Sequence, residues 1–498
     1  MRNNSLLIIL LLISNLLLSQ KKVVEILNAT ELKAGKTADH QKLVGKVILK
    51  FDGTKLFCDS AEVNSITSDF VAEGKVYINK PNQVKAWGDK LDYDGVNKIG
   101  KLIGDVKMKS DGSLLTTDLL YFDEKNALIY YLNGANTVTE DATIYSKKGF
   151  YDTKSKYLKL KDSVRVKNPE YYIKCDTLEY STVSKTSYFF GPTTIELENE
   201  KIYCEAGFYN QTLGIAQFEK NAILKSEEQV LEADSIYYDK TTGIAKAHYD
   251  VKMQDPTENI TVTGEEGYFD QKNNYSFITK NVLFMQGSDN DTLFLTSDTL
   301  IATEDTAGNK SFYAFNNVQL FQNEMQGICD SLAYNFKDSL IRLYYDPVIW
   351  NGESQITGDT IEILSFDNKL QKLFIKKNGF IVSLTDSTPM RYDQIKGRDL
   401  VGYFKDGKMD VMNVLGNGQT IYYAKEADGK FSGVNKAICS NIKVKFNNGK
   451  VDRIKFITLP EAIFYPLNDF PEDESRLDKF KWRDSDRPKS KKSLSGRN

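Results

Sequence analysis

Apolar and polar positions alternate along most of this chain. In VKAWGDKLDYDG, Leu91 and Tyr93 stand two residues apart, with Lys90, Asp92 and Asp94 between and beside them. A period of two is the signature of a half-buried strand. The phrase recurs as LLTTDLLYFDEK (residues 114–125), YIKCDTLEYST (172–182), LEADSIYYDK (231–240) and MQGICDSLAYNFK (325–337). Each copy carries an Asp, an apolar residue two places on and an aromatic residue four places on. The two-apart pairs are Leu91/Tyr93, Leu120/Phe122, Leu178/Tyr180, Ile236/Tyr238 and Leu332/Tyr334.

With the acid as a marker, the series runs Asp59, Asp89, Asp118, Asp176, Glu205, Asp234, Glu265, Asp298, Asp330, Asp359 and Asp399, with a degenerate copy at Lys147. Between Asp89 and Asp234 the step is 29 residues five times in succession. Twelve units with later drift describe a repeat architecture. After each phrase comes a polar turn such as DGVNK, DEKN or DKTTG. A second run follows, centred on a turn-like dipeptide: LIGDVKM, YLNGANTV, LKLKDSVRV, FEKNAIL, ITKNVLF, AFNNVQL. Gly, Asn and Asp supply the left-handed backbone that such corners need. The pattern predicts two or three short strands per repeat and almost no helix. The 3.6-residue stripes of a helical repeat and the Leu/Asn ladder of a leucine-rich repeat are absent, and 29 residues is short for a propeller blade.

One conflict points to local geometry. In LEADSIYYDK, Leu231 and Ala233 fall on one parity while Ile236 and Tyr238 fall on the other. Either both faces are semi-apolar, or a bulge at the marker acid flips the register and places both pairs on one face. The acid is then structural, its carboxylate bonding backbone N–H groups at the kink.

Composition sharpens this picture. The 498 residues include 28 Tyr, 27 Phe and only 10 Pro, which suits strands. The net charge of −3 gives no basic field for nucleic acid. At the N-terminus one Arg precedes an apolar run, residues 6–18, followed by small and polar residues. Residues 1–20 read as a secretory signal peptide, too short in its core for a comfortable membrane span. Five Cys without a CxxC form neither a disulfide framework nor a zinc site. Cys58, Cys175, Cys204 and Cys329 each precede a marker acid, where other copies have Ala or Gly. They read as small, semi-buried residues. His40 and His248, the chain's two histidines, read as surface residues. GNGQ at 416–419 leads into a strand, so it lacks the context of a dinucleotide loop, and GSDNDTL at 287–293 reads as a hairpin turn. No constellation points to catalysis, a metal or a cofactor. From Pro460 the chain is punctuated by Pro466 and Pro471 and ends basic and Ser-rich. Residues 460–498 are expected to form a disordered tail, in which Phe480 and Trp482 could anchor to a partner.

Successive units of this grammar, with LEADSIYYDKTTGIAKAHYDVKM and VKAWGDKLDYDGVNKIGKLIGDVKM as close examples, resemble the organic solvent tolerance A-like (OstA-like) family. That family includes the LptA-like periplasmic bridge proteins of lipopolysaccharide transport. The resemblance covers residues 24–367, and the block at 397–423 resembles the family's extended form. It implies an all-β fold: an elongated, twisted β-jellyroll of stacked repeats, two antiparallel sheets around a V-shaped groove. The repeats would span residues 21–367, with 368–459 continuing or capping them. The resemblance also implies a function. The groove would shield the acyl chains of lipopolysaccharide, and inner- and outer-membrane components of the transport system would meet the open ends. Leu91, Tyr93, Leu120, Phe122, Leu178, Tyr180, Ile236, Tyr238, Leu332 and Tyr334 are the expected lining. Such a lining would hold apolar chains without directional contacts. Two other readings fit the repeats: a non-catalytic β-solenoid scaffold or adhesin, and an outer-membrane β-barrel. The second is weakened by the Lys and Asp on most strands.

Overall fold

A computed structural model describes residues 24–35, 37–51, 53–81, 83–110, 112–287, 292–366, 369–405, 408–426, 428–447, 450–490 and 494. The expected signal peptide at 1–20 lies outside the described residues, as does most of the turn at 287–293. The fold is all-β. Among the described residues only three short 3-10 turns, Leu467–Asp469, Glu472–Glu474 and Asp484–Asp486, interrupt the run of strands. No helix among them is long and apolar enough to cross a membrane. The chain divides into two compact units at Phe218/Glu219, inside the strand Ile215–Ser226. The repeat pattern does not mark this place.

In the first unit the strands form an antiparallel meander. Thr54–Asn64 pairs with Phe70–Lys80, that strand with Val84–Asp94, and Val84–Asp94 with Ile99–Ser110. The second unit repeats the scheme from Val230–Asp239 through Ile244–Asp255 and Ile260–Asp270 to Tyr275–Gly287. A full rung is therefore two strands of about a dozen residues, each bent in the middle.

The bend has a local cause. Two consecutive residues take positive φ at Gly45–Lys46, Gly74–Lys75, Gly104–Asp105, Asp162–Ser163, Lys220–Asn221 and Lys280–Asn281. These are the dipeptides that the hydrophobic runs enclose in the sequence. Left-handed backbone is open to Gly and tolerable for Asn and Asp, so these types occupy most corners. On the neighbouring strand the marker acid lies at the same level. Pairing jumps from Glu232↔Lys252 to Ser235↔His248, leaving Ala233 and Asp234 opposite three residues. Of the two explanations for the parity conflict, the structure has the bulge. Ala233 and Ile236 are both buried and Asp234 is exposed. The marker carboxylate behaves less uniformly than expected. Asp399 accepts a bond from the Lys377 backbone N–H at 3.0 Å. At Asp359 and Asp298 the donor is instead the side-chain amide of a corner Asn, Asn378 at 2.9 Å and Asn317 at 3.3 Å.

Bending every strand at the same level makes two layers. The Phe51 ring, past the bend of its strand, lies 5.4 Å from Phe70 and 5.2 Å from Tyr93, which belong to the opposite half. In the second unit Phe284 meets Phe312 across the layers at 5.4 Å. Hairpins at the tips close on Asp caps, as where Asp94 and Asp123 accept bonds from the N–H groups of Asn97 and Asn126.

The last segment departs from expectation. Of the expected tail at 460–498, residues 491–493 and 495–498 lie outside the described residues, and the part up to 490 does not run free: Glu461–Pro466 is a strand paired with Phe431–Asn447. Leu477 is buried in a cluster with Phe380, Val382 and Tyr392, against which Phe480 and Trp482 pack. Composition points to disorder here because the charged residues far outnumber the apolar ones. Leu467, Phe470, Leu477, Phe480 and Trp482, spaced along the segment, nonetheless find places on the body.

Candidate functional site

The candidate residues occupy the inner face of the second half of each marker strand. Register and burial agree on this. Leu91 and Tyr93 are buried while Asp92 between them is exposed. Leu120, Leu178, Ile236 and Leu332 are buried as well. Phe122, Tyr180, Tyr238 and Tyr334 are half-buried. In the first unit Leu91, Tyr93, Leu120 and Leu178 share one continuous core, with Phe122 and Tyr180 packed against it. Ile236, Tyr238, Leu332 and Tyr334 belong to the second unit, where Tyr334 packs against Phe312 and Phe336.

Depth follows position. The residue two past the marker sits beside the corner, and its side chain is closed off: Leu120 and Ile236 are 0% exposed. The residue four past the marker sits one place from the strand end, near the hairpin tip. Its ring is covered from one side. Tyr93 is the exception, stacked at 4.9 Å on Phe70 and beside Phe51. The inner face is thus an apolar floor that ends in a row of aromatic lips. The floor is filled by the protein's own side chains. A recess of about 1140 Å³ elsewhere is built from outward-facing Tyr145, Arg165, Lys167 and Tyr172, and no candidate residue contributes to it.

The corner cysteines belong to the same floor. Cys58, Cys175, Cys204, Cys329 and Cys439 are all buried and unpaired. Burial pushes the thiols of Cys58, Cys175, Cys204 and Cys329 up to about 12. A thiol that ionises so reluctantly is a poor nucleophile and a poor metal ligand. Among the described residues no group of three His, Cys, Asp or Glu is placed to hold a metal. His248 is exposed, and His40 Nδ1 lies 2.6 Å from Thr37 Oγ1.

Two features escaped the sequence. The rung at the degenerate Lys147 is broken into Thr143–Ser146 and Lys148–Asp152. There Tyr131 turns inward, its hydroxyl 2.6 Å from the buried Ser146 Oγ. Only Gly149 leaves room for that ring, since a Cβ there would lie 2.4 Å from it. The second is Asp393, whose carboxyl burial raises to about 6 although it accepts the Tyr423 N–H at 2.8 Å. A lone Asp within an alternating strand carries no mark of this.

Comparison with known proteins adds a family. Residues 19–176 match the model of the OstA-like proteins. Residues 261–368 match that of the LptA/LptD N-terminal domain lipopolysaccharide transport proteins. No curated protein matches the chain. Among solved structures, LptH from Pseudomonas aeruginosa, described as the LptA homologous periplasmic component of the lipopolysaccharide transport device, aligns at 16% identity. The alignment covers 22% of this chain and 79% of that one, with a TM-score of 0.19. Residues 177–260 fall in neither family match, yet they fold into the same bent strands. These two matches assign residues 19–176 of the repeat array to the OstA-like proteins and residues 261–368 to the LptA/LptD N-terminal domain family of lipopolysaccharide transport proteins.

Proposed function

We propose that this protein carries lipopolysaccharide through the periplasm as a bridge component, holding acyl chains against the inner face of its bent strands. The observation that supports this most is the depth gradient. Repeat after repeat, a closed aliphatic position lies beneath a half-open aromatic one at the strand tip. An acyl chain laid along those tips would touch Phe122 or Tyr180 in the first unit, or Tyr238 or Tyr334 in the second, and extend the apolar floor of that unit. Contact of this kind scales with area and tolerates chains of different length.

The ends of the array fit a bridging role. The first unit opens with two short strands, Glu25–Asn28 and Glu31–Ala34, both paired to His40–Phe51 and exposed throughout. The second unit closes with Lys450–Ile457 and Glu461–Pro466, both paired to Phe431–Asn447. Each is a bent strand split at its corner, with an edge available for strand addition by a partner. Residues 368–459 continue the array in this reading and bring it to the second of these edges.

The test is site-specific photo-crosslinking in the full chain, with the probe at Phe122, Tyr180, Tyr238 or Tyr334 and controls at the neighbouring Tyr121, Glu179, Tyr237 or Ala333. After incubation with lipopolysaccharide, adducts should form at the first set. Adducts confined to the controls would place the lipid on the outer face and sink the groove. The complete burial of Leu102 and Leu120 favours one rival, a scaffold with a solid interior. Absence of adducts at every site would select that rival.

A further inference from the structure

The outer face of the second unit carries a row of residues paired directly across seven strands: Gln326, Trp350, Gln355, Val382, Gln394, Ile421 and Lys436. On a solvated outer face this row would be polar and exposed. Here Gln326 is 4% exposed, Gln355 1% and Gln394 0%, and the apolar residues between them are equally closed. The C-terminal segment covers them. It crosses the strands, so its own backbone cannot join their ladder, and its peptide groups need other partners.

The glutamines supply those partners. Gln394 donates from Nε2 to the Ser475 carbonyl at 2.8 Å and accepts the Leu477 N–H on Oε1 at 2.8 Å. Gln355 repeats the motif on Lys481 O at 2.7 Å and Arg483 N at 2.6 Å. A carboxamide offers one donor side and one acceptor side, as a peptide does, so each glutamine stands in for a strand bridge. At the two ends of the row the reading passes to side chains. Lys436 holds Glu474 at 2.8 Å, and Gln326 Oε1 accepts Arg487 Nε at 2.8 Å and Nη2 at 2.6 Å. The polar contacts fall on alternate strands, and Trp350, Val382 and Ile421 floor the strands between. The Phe480 N–H bonds back to Leu477 O at 3.0 Å, a turn that fits six residues of segment to two strand spacings.

We propose that this face is a peptide-recognition site, and that residues 474–487 are a reversible latch bound to it rather than an integral layer of the fold. The ligand class is an extended peptide with an acid at one end, a guanidinium at the other and large apolar residues between. Two of its backbone pairs are read by Gln394 and Gln355. Gln355 and Gln394 rely on such a ligand for both sides of their amides, and Gln326, whose Nε2 bonds to Gln322 O at 2.6 Å and Asn323 O at 3.1 Å, for its oxygen, because an unsatisfied buried amide is costly. The inference is independent of the lipid reading.

A protease site inserted between Asn468 and Asp469 of the full chain separates latch from body without removing either. After cleavage the body should keep its strand signal in circular dichroism, and a labelled peptide of residues 470–490 should exchange into the site saturably. Gln355→Ala or Gln394→Ala should weaken that binding by about tenfold. A scrambled peptide should not bind. Loss of the strand signal on cleavage would make the segment part of the fold and overturn the proposal. So would failure of the peptide to bind an intact body, or unchanged binding by both glutamine variants. Hydrogen exchange on the uncut chain gives a second check. The Leu477 and Arg483 amides should be protected, and Gln394→Ala should release the first while sparing the second. Free exchange of both in the unaltered protein would also overturn the proposal.

Discussion

At the residue scale, burial decides which groups can do chemistry. The four corner thiols raised to about 12 are inert at neutral pH. They should resist a thiol reagent at pH 8 in the folded protein and react promptly in denaturant. Rapid labelling of the native chain would contradict the burial on which the closed floor rests. Asp393 gives a prediction of opposite sense to most carboxylates. Burial raises its folded pKa from 3.8 to about 6. The folded protein therefore keeps a proton there over a range in which the unfolded chain has lost it. Stability contributed at this site is present below about pH 4, falls as the pH rises to about 6 and stays low above. Asp393→Asn retains an oxygen for the Tyr423 N–H and removes the buried charge. It should stabilise the protein by about 2–3 kcal/mol at pH 7 and by almost nothing at pH 4, measured by urea unfolding at both.

At the element scale, the corner dipeptide is the device that turns a strand into two layers. Gly104 has φ +82°, and a Cβ there would approach the Asp89 carboxylate to 2.3 Å. Gly104→Val combines left-handed strain with that clash and should cost about 1–3 kcal/mol. Gly104→Asn should cost less, because asparagine accepts this backbone and holds the same place at Asn316 of a later rung. Equal losses in chemical denaturation would show that space, not backbone handedness, governs the corner. These corners were legible in the sequence as Gly-Asp, Lys-Asn and Asn-Asn between apolar residues. Their place was not. Read alone they pass for hairpin turns, which is why the pattern predicts short strands where long bent ones occur.

At the scale of the whole molecule, the same two-layer cross-section recurs in both units, so a lipid contact made in one rung is available in the others. Probes at Phe122 and Tyr180 test the first unit, and probes at Tyr238 and Tyr334 the second. Adducts in both would show that acyl contact belongs to the repeat, whereas adducts in one unit would confine it to a local site. The two short strands that end each array meet a different need: they leave edge hydrogen bonds for a partner at the ends while the interior rungs satisfy their own.

The sequence by itself determined what depends on neighbours along the chain. Alternation marked the strands, the spacing of marker acids marked a repeated order along the chain, and the parity break around Asp234 pointed to a bulge as one of two explanations. Which of the two faces of each strand carries Leu91, Leu178 and Ile236 inward was left open by alternation and was decided by the packing of the two layers. Tertiary structure decided what depends on residues far apart in the chain. It closed the floor between facing layers, buried Asp393, and turned Tyr131 into the broken rung. It also laid the C-terminal segment across Gln326, Gln355 and Gln394, which are separated from their partners there by more than eighty residues. No local period can report such contacts, since they arise only when the bend has brought distant strands into register.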